Sequence, residues 1–135
     1  MTDVSTRMVH RLVPFAGFLG VEVVEASPER VVMSLPARPE LGTIGGGVHG
    51  GAVMALADVT AAVMAVVAGG DLRAAPATAE SSTHFLEPAR GALTATATVL
   101  RRGRSTVVDV VVTDEAGTVS AVVRQTVAVR VPPRA

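Results

Sequence analysis

Asp58 is the residue whose type and surroundings most clearly suggest chemistry. It is the only charged residue between His49 and Asp71, in a segment otherwise made of small, aliphatic and Thr residues. An unpaired carboxylate among apolar groups is costly, so such a position indicates a partner or a chemical task. Asp58 could act as a general base or a nucleophile. The alternative is a structural role, with Asp58 bonded to a local hydroxyl such as Thr60 or to a neighbouring arginine.

A glycine-rich stretch, residues 45–50, leads into the same apolar segment. It formally fits G-x-G-x-x-G, but the dinucleotide-binding fingerprint requires a strand directly before it. Residues 38–41, Arg-Pro-Glu-Leu, do not form one. We interpret the stretch as a loop that leads into a helix, with Gly50 in the first turn. A backbone N–H there lacks a partner within the helix and can stabilise an oxyanion.

Composition excludes several other chemistries. The chain has no Cys, all 12 basic residues are Arg, and its formal net charge is zero. Thiol catalysis, a Schiff-base lysine and a Walker-type phosphate loop are therefore excluded, and we expect no nucleic-acid or anionic-membrane partner. The three histidines, His10, His49 and His84, have no metal-ligand spacing, so we expect no metal, and His10 and His84 are expected to be structural or surface residues.

The most apolar segment, residues 52–68, reaches only the lower limit of a membrane span, and Asp58 near its middle would be costly in lipid. We expect a helix that is buried inside the protein. The first 20 residues lack the sustained apolar region of a signal peptide, so a cytoplasmic location is expected.

The pattern of apolar residues and turn formers predicts an α+β domain over residues 1–135. A short helix, a hairpin and a loop come first, then the long helix, then four strands. The predicted ranges are 5–13 for the first helix, 20–26 and 30–36 for the hairpin strands, 37–49 for the loop, 50–68 for the long helix, and about 77–87, 92–102, 105–114 and 118–131 for the last strands. Short connections imply an antiparallel sheet, which we expect to wrap around the long helix.

Residues 47–58, Gly-Val-His-Gly-Gly-Ala-Val-Met-Ala-Leu-Ala-Asp, resemble the H-G-G…D signature of hotdog-fold acyl-CoA thioesterases of the phenylacetate-degradation (PaaI-like) type. Further similar residues are found at 19–21, 38–41, 85–89, 103–104 and 117–121. The resemblance implies the hotdog fold, a curved antiparallel sheet around one long central helix. It also implies hydrolysis of an acyl-CoA to acid and free CoA without metal or cofactor. Members of the family form homodimers, and tetramers are common.

The resemblance also assigns catalytic roles. The family's acidic residue corresponds to Asp58, and its carbonyl-polarising backbone N–H corresponds to Gly50. The position that usually holds Asn or Gln is Thr43, and a hydroxyl that helps to place water corresponds to Thr78. The Thr43 hydroxyl is shorter than an amide, which leaves a non-enzymatic acyl-CoA binding module as an alternative. A hotdog hydratase is a second alternative, although the acid and histidine pattern of such enzymes is not evident.

Substrate binding is assigned to two further groups of residues. Arg104 matches a basic position of the family, and together with Arg102 it offers guanidinium groups that suit CoA phosphates. The acyl side of the substrate is expected to contact residues on and around the start of the long helix. These residues are Val48, His49, Val53, Met54, Leu56 and Phe85.

The spacing of Gly50 and Asp58 adds a constraint that does not depend on the resemblance. Eight helical residues separate them, which is roughly 12 Å along a helix axis. One carbonyl group cannot lie about 3 Å from both within a single chain. If both residues act, Asp58 must come from a second protomer, and a dimer with shared sites becomes a requirement for catalysis.

Overall fold

A six-stranded antiparallel sheet packs one of its faces against a 20-residue helix. The computed structural model describes residues 4–133. The elements in chain order are α1 (Thr6–Leu12), α2 (Pro14–Leu19), β1 (Glu22–Ala26), β2 (Val31–Leu35), a 3₁₀ turn (Pro39–Leu41), α3 (Gly50–Gly69), β3 (Ala75–Phe85), β4 (Leu93–Arg101), β5 (Ser105–Thr113) and β6 (Val119–Arg130). The predicted hotdog architecture is confirmed, and the predicted strands differ from these by at most two residues at either end.

The strand order is β1-β2-β4-β5-β6-β3, so β1 and β3 form the two edges. Helix α3 packs against five strands of the sheet, which are β2, β4, β5, β6 and β3. It ends where Gly70 adopts a left-handed conformation, with φ of 80°. Alternate residues of β4, β5 and β6 point towards α3, and most are Ala or Val; Ala95, Ala97 and Val108 are fully buried. These short side chains let the sheet approach the helix closely.

Helix α3 is long and apolar enough to cross a membrane by length and composition. More than half of it is buried inside the protein, where Leu56, Ala61 and Met64 have no exposed surface. It is therefore the core helix of the fold, as the position of Asp58 indicated.

The N-terminal segment contains a helix that the sequence analysis missed. Helix α1 is capped as expected, because the Ser5 hydroxyl accepts the Met8 N–H at 3.1 Å. Pro14 ends α1 but also opens α2, since proline suits the first position of a helix. The His10 ring lies 2.6 Å from the Val21 carbonyl oxygen, which makes this histidine structural, as expected.

Edge strand β3 carries a bulge at Ala79. Thr78 pairs with Val127, and Glu80 pairs with the preceding residue of β6, Thr126. The extra residue shifts the alternation, so that Thr78, Ser81 and Thr83 all face α3. Glu80, Ser82 and His84 lie on the outer face of the sheet. Without the bulge, Thr78 would point away from the helix.

Candidate active site

The structure divides the predicted site residues into two clusters at different points along α3. The helix-start cluster consists of Thr43, Val48, His49, Gly50 and Phe85. The carboxylate cluster consists of Asp58, Thr78 and a residue that the sequence analysis did not single out, Gln125.

The carboxylate cluster is a hydrogen-bonded triangle. The Thr78 hydroxyl donates to Asp58 Oδ1 at 2.7 Å, and the Gln125 amide Nε2 donates to the same oxygen at 2.9 Å. Nε2 also lies 3.3 Å from the Thr78 hydroxyl oxygen. The alternative partner Thr60 is wrong, because its hydroxyl donates to the Leu56 carbonyl within α3 at 2.7 Å. Within residues 4–133, no arginine pairs with Asp58.

The two oxygens of Asp58 differ as a result. Oδ1 receives both donors, whereas Oδ2 receives none from the part of the chain that the structure describes. Asp58 itself lies on an exposed side of α3. One oxygen is therefore held in place, and the other is open to a water molecule or a substrate.

Gln125 could have been found from the strand pattern. It lies on the face of β6 that also carries Ala121, Val123 and Val127, all buried against α3, and it is itself 0% exposed. A single amide among inward-facing aliphatic residues needs a partner. Its Oε1 has none within residues 4–133, and the same holds for the Thr83 hydroxyl oxygen on the neighbouring strand.

His49 caps the helix at the other cluster. Its Nδ1 accepts the Gly51 N–H at 2.8 Å, so in this arrangement Nε2 carries the ring proton. A side chain at Gly51 would place a Cβ 3.0 Å from Nδ1. Any larger residue at position 51 would therefore crowd the imidazole ring that caps the helix.

The Gly50 N–H meets no acceptor within the described residues, as expected for the first turn of a helix. The Phe85 ring lies over this glycine, since a Cβ at Gly50 would be 3.2 Å from Cζ of Phe85. A cavity of about 280 Å³ opens beside them. It is lined by Val48, Gly50, Val53, Phe85, Leu86, Glu87, Pro88, Ala89 and Ser120.

Two other predicted acyl contacts lie elsewhere. Met54 is 40% exposed on α3, one helical turn from both Gly50 and Asp58. Leu56 is fully buried in the core and does not line this cavity.

Thr43 belongs to a tight loop at the start of α3. Its N–H donates to the Gly47 carbonyl at 2.9 Å, and its carbonyl accepts from Gly46 at 3.2 Å. Arg90 stabilises the loop through a bond from Nη1 to the Gly45 carbonyl at 3.2 Å. Thr43 is exposed and lies in the chain segment next to His49, whereas Thr78 is bonded to Asp58.

Arg102 and Arg104 lie on the connection between β4 and β5. Both are exposed, and neither side chain makes a hydrogen bond or ion pair within residues 4–133. The following residue, Ser105, pairs with Ala128, which in turn pairs with Ala77. The connection therefore lies at the same end of the sheet as Thr78.

Within one chain the two clusters remain apart. Gly50 contacts Phe85, and Asp58 contacts Thr78. Thr78 and Phe85 are separated by roughly 23 Å of extended strand, and the two helix residues by roughly 12 Å. No group of three metal-ligating side chains occurs in the described part of the chain.

The cap at His49 is testable by exchange of the capping side chain. His49→Ala removes the acceptor for the Gly51 N–H and should lower the free energy of unfolding by about 0.5–2 kcal/mol. His49→Asn supplies a good capping side chain and should recover most of that loss. Urea denaturation of the three proteins measures the difference. Equal stability of the alanine and asparagine variants would contradict the cap.

Solved structures with the same fold include proteins described as thioesterases. A thioesterase of Haemophilus influenzae superimposes with a TM-score of 0.83 at 21% identity, covering 94% of this chain and 91% of that one. The PaaI protein of the phenylacetic acid degradation operon of E. coli gives 0.81 at 20% identity, covering 95% and 91%. The hotdog fold that the sequence resemblance implied is thus confirmed.

Sequence comparison agrees. A provisionally named esterase of Saccharolobus solfataricus is 33% identical over 92 residues, which cover 67% of this chain and 64% of that protein. The family model described as a domain of unknown function, DUF4442, matches residues 2–131. The chain therefore belongs to the DUF4442 family and has the fold of the hotdog thioesterases.

Proposed function

We propose that this protein hydrolyses an acyl-CoA thioester to a free acid and CoA, and that Asp58 acts on the thioester carbonyl carbon either directly or through water. The observation that carries the proposal is the state of the Asp58 carboxylate. Thr78 and Gln125 hold Oδ1, while Oδ2 is open on an exposed face of α3. The thioesterase neighbours support the same chemistry.

The Gly50 N–H is the electrophilic half of the mechanism. It has no acceptor in the described chain, and it lies at the positive end of a 20-residue helix. A thioester carbonyl oxygen bound there would be polarised, and the negative charge of the tetrahedral intermediate would be stabilised. The Thr43 hydroxyl lies on the adjacent loop and is assigned to orienting the thioester.

Asp58 supplies the base or the nucleophile, which is the other half of the mechanism. As a general base, its Oδ2 takes a proton from water as the water oxygen bonds to the carbonyl carbon; the C–S bond then breaks and the thiolate of CoA leaves with a proton. As a nucleophile, Oδ2 bonds to the carbonyl carbon, the C–S bond breaks and the thiolate of CoA leaves, which gives an anhydride. Water then hydrolyses the anhydride to the free acid and restores the Asp58 carboxylate. Both routes use only residues of this protein and water. Thr78 serves both routes by holding Oδ1.

The Gly50 N–H and the Asp58 carboxylate that act on one substrate must come from two copies of the chain. Edge strand β3 is exposed along almost its whole length, and beside it α3 leaves Gly51, Met54 and Asp58 uncovered. An unpaired edge next to an open apolar helix face is suited to a second copy of the same chain. Antiparallel pairing of two β3 strands about a dyad near Ser81 and Ser82 would set Phe85 of one protomer opposite Thr78 of the other. The Gly50 N–H would then approach the partner subunit's Asp58.

The CoA moiety is assigned to the connection between β4 and β5. Arg102 and Arg104 are exposed and unpaired in the described chain, and their connection lies at the Thr78 end of the sheet. Guanidinium groups bind phosphates through paired N–H donors. The acyl group is assigned to the cavity that Val48, Gly50 and Phe85 line. Met54 and His49 are assigned as further contacts of the acyl group.

A panel of acyl-CoA esters with a free-thiol reagent tests the reaction. Thiol release above the uncatalysed rate supports hydrolysis. Binding of the ester without thiol release would instead support the acyl-CoA binding module, which is favoured by the short Thr43 side chain. A hydratase is disfavoured, because His49 Nδ1 is occupied by the Gly51 N–H and His84 lies on the outer face of the sheet.

Asp58→Asn keeps the size of the side chain but removes its basicity and nucleophilicity. We expect kcat to fall by about 10²–10⁴-fold, with KM changed much less. Asp109→Asn is the matched control, since Asp109 pairs with Arg124 on the outer face of the sheet and should leave kcat unchanged. A parental rate in the Asp58 variant would show that Asp58 is structural.

Arg104→Ala should raise KM for a CoA ester more than for the same acyl group on a small thiol. The reason is that only the CoA ester carries the phosphates. Arg30→Ala, in an exposed ion pair at the β1–β2 turn, is the control and should change neither KM. An equal effect of Arg104→Ala on both esters would point to a role in folding.

Mixed dimers test the shared site. Gly50→Pro removes the N–H at a helix position that tolerates proline, and the extended backbone of His49 suits a following proline. Gly50→Ala adds the same Cβ against Phe85 but keeps the N–H, so it is the control for crowding. Co-expression of Gly50→Pro with Asp58→Asn should restore up to about a quarter of parental activity, because half of the dimers are mixed and each mixed dimer has one intact site.

The co-expression experiment requires that each variant alone is first shown to be folded and dimeric. Failure to recover activity in confirmed heterodimers would mean that each site is built within one chain, and the shared-site proposal would be wrong.

A further inference from the structure

We propose that Gln125 is a positioning residue, which holds the Asp58 carboxylate and the Thr78 hydroxyl in the arrangement that leaves Oδ2 reactive. The inference rests on the proposed function. It assigns a role to a residue that has no exposed surface.

The Gln125 amide fixes the directions of the hydrogen bonds in the carboxylate cluster. The Thr78 hydroxyl has one proton, and it is given to Asp58 Oδ1 at 2.7 Å. The Gln125 amide has two N–H donors on Nε2, one directed to Asp58 Oδ1 at 2.9 Å and one towards the Thr78 oxygen at 3.3 Å. Because this amide nitrogen can only donate, Thr78 must accept from it and direct its own proton to Asp58. One amide therefore determines both the hydroxyl direction and which carboxylate oxygen is occupied.

The amide group of Gln125 carries a cost for the stability of the fold. Gln125 is 0% exposed, and its Oε1 has no hydrogen-bond partner within residues 4–133. A buried acceptor without a partner destabilises the folded state, whereas an apolar side chain of similar length would avoid that cost. Val123 and Val127 occupy the equivalent inward positions of β6 on either side. An amide between them is explained by the donors that it supplies to Asp58 and Thr78.

Gln125 is too deeply buried to contact a substrate directly. Gln125 has no exposed surface, while Asp58 and Thr78 are both exposed in the protomer. The amide therefore acts on the substrate only through these two residues. Its loss should change the rate of the chemical step and leave substrate binding almost unchanged.

The main test is Gln125→Met, which keeps the length of the side chain and removes the donors. We expect kcat to fall by about 10–100-fold, the range that a misplaced catalytic group produces, with KM within about twofold of the parent. The melting temperature should change little, because removal of the unpartnered Oε1 offsets the loss of the two donors. The matched control is Val123→Ala, a cavity-forming change on the same face of the same strand. It should lower the melting temperature and leave kcat within about twofold.

Gln125→Glu provides a pH-dependent readout. The carboxyl at this position can donate to Asp58 only while it is protonated, and once ionised it repels the Asp58 carboxylate. The ratio of its kcat to that of the parent should therefore rise as the pH is lowered. A purely structural role of Gln125 would give a ratio that does not depend on pH.

The outcomes separate this inference from the proposed function. If Asp58→Asn abolishes thiol release and Gln125→Met keeps the parental kcat, the positioning role is wrong and the thioesterase stands. A loss of kcat accompanied by a drop in melting temperature like that of Val123→Ala would also overturn it.

If the parent hydrolyses no thioester, the proposed function fails, and a crystal structure of Gln125→Met tests the positioning directly. An Asp58 carboxylate that leaves its contact with Thr78 supports the inference, and an unchanged carboxylate overturns it.

Discussion

The fixed rise of the α-helix separates Gly50 from Asp58 by roughly 12 Å, and the remainder of the proposed site is arranged around that separation. An oxyanion donor belongs at the start of a helix, where N–H groups are free. The carboxylate lies eight residues further along, where Thr78 and Gln125 can reach it. In the proposed mechanism a single copy of this chain therefore holds two half-sites, and the open edge β3 is the element through which a second copy would complete each of them.

The same helix explains the composition of the chain. A core helix that packs on five strands needs short side chains on both surfaces, and this sheet supplies Ala and Val at its inward positions. Two of the polar exceptions among these positions are informative. Thr78 and Gln125 both lie beside Asp58, at the point where the sheet meets the open side of α3.

Much of the fold could be predicted from the sequence because its signals are local. The glycines that bound α3, the turn formers between strands and the alternation of Val and Ala each act over a few residues. Helix α2 was missed because Pro14 can both end one helix and begin another. Of the candidate site, Asp58 was evident from its isolation, and Thr78 was assigned only through the family resemblance. Gln125 reaches Asp58 from 67 residues away along the chain, and this contact depends on the register of β6 beside β3, which no local pattern specifies.

The bulge at Ala79 makes one strand serve two purposes that would otherwise conflict. From Glu80 to Phe85 the residues of β3 follow a regular alternation, which the proposed pairing with a second β3 strand requires. Thr78 lies beyond the inserted residue and is out of phase with that alternation. In the proposed dimer, the stretch from Glu80 to Phe85 can therefore keep the phase of a regular edge strand while the Thr78 hydroxyl still faces Asp58. One inserted residue thus reconciles a regular edge with a side chain of the opposite phase on the same eleven-residue strand.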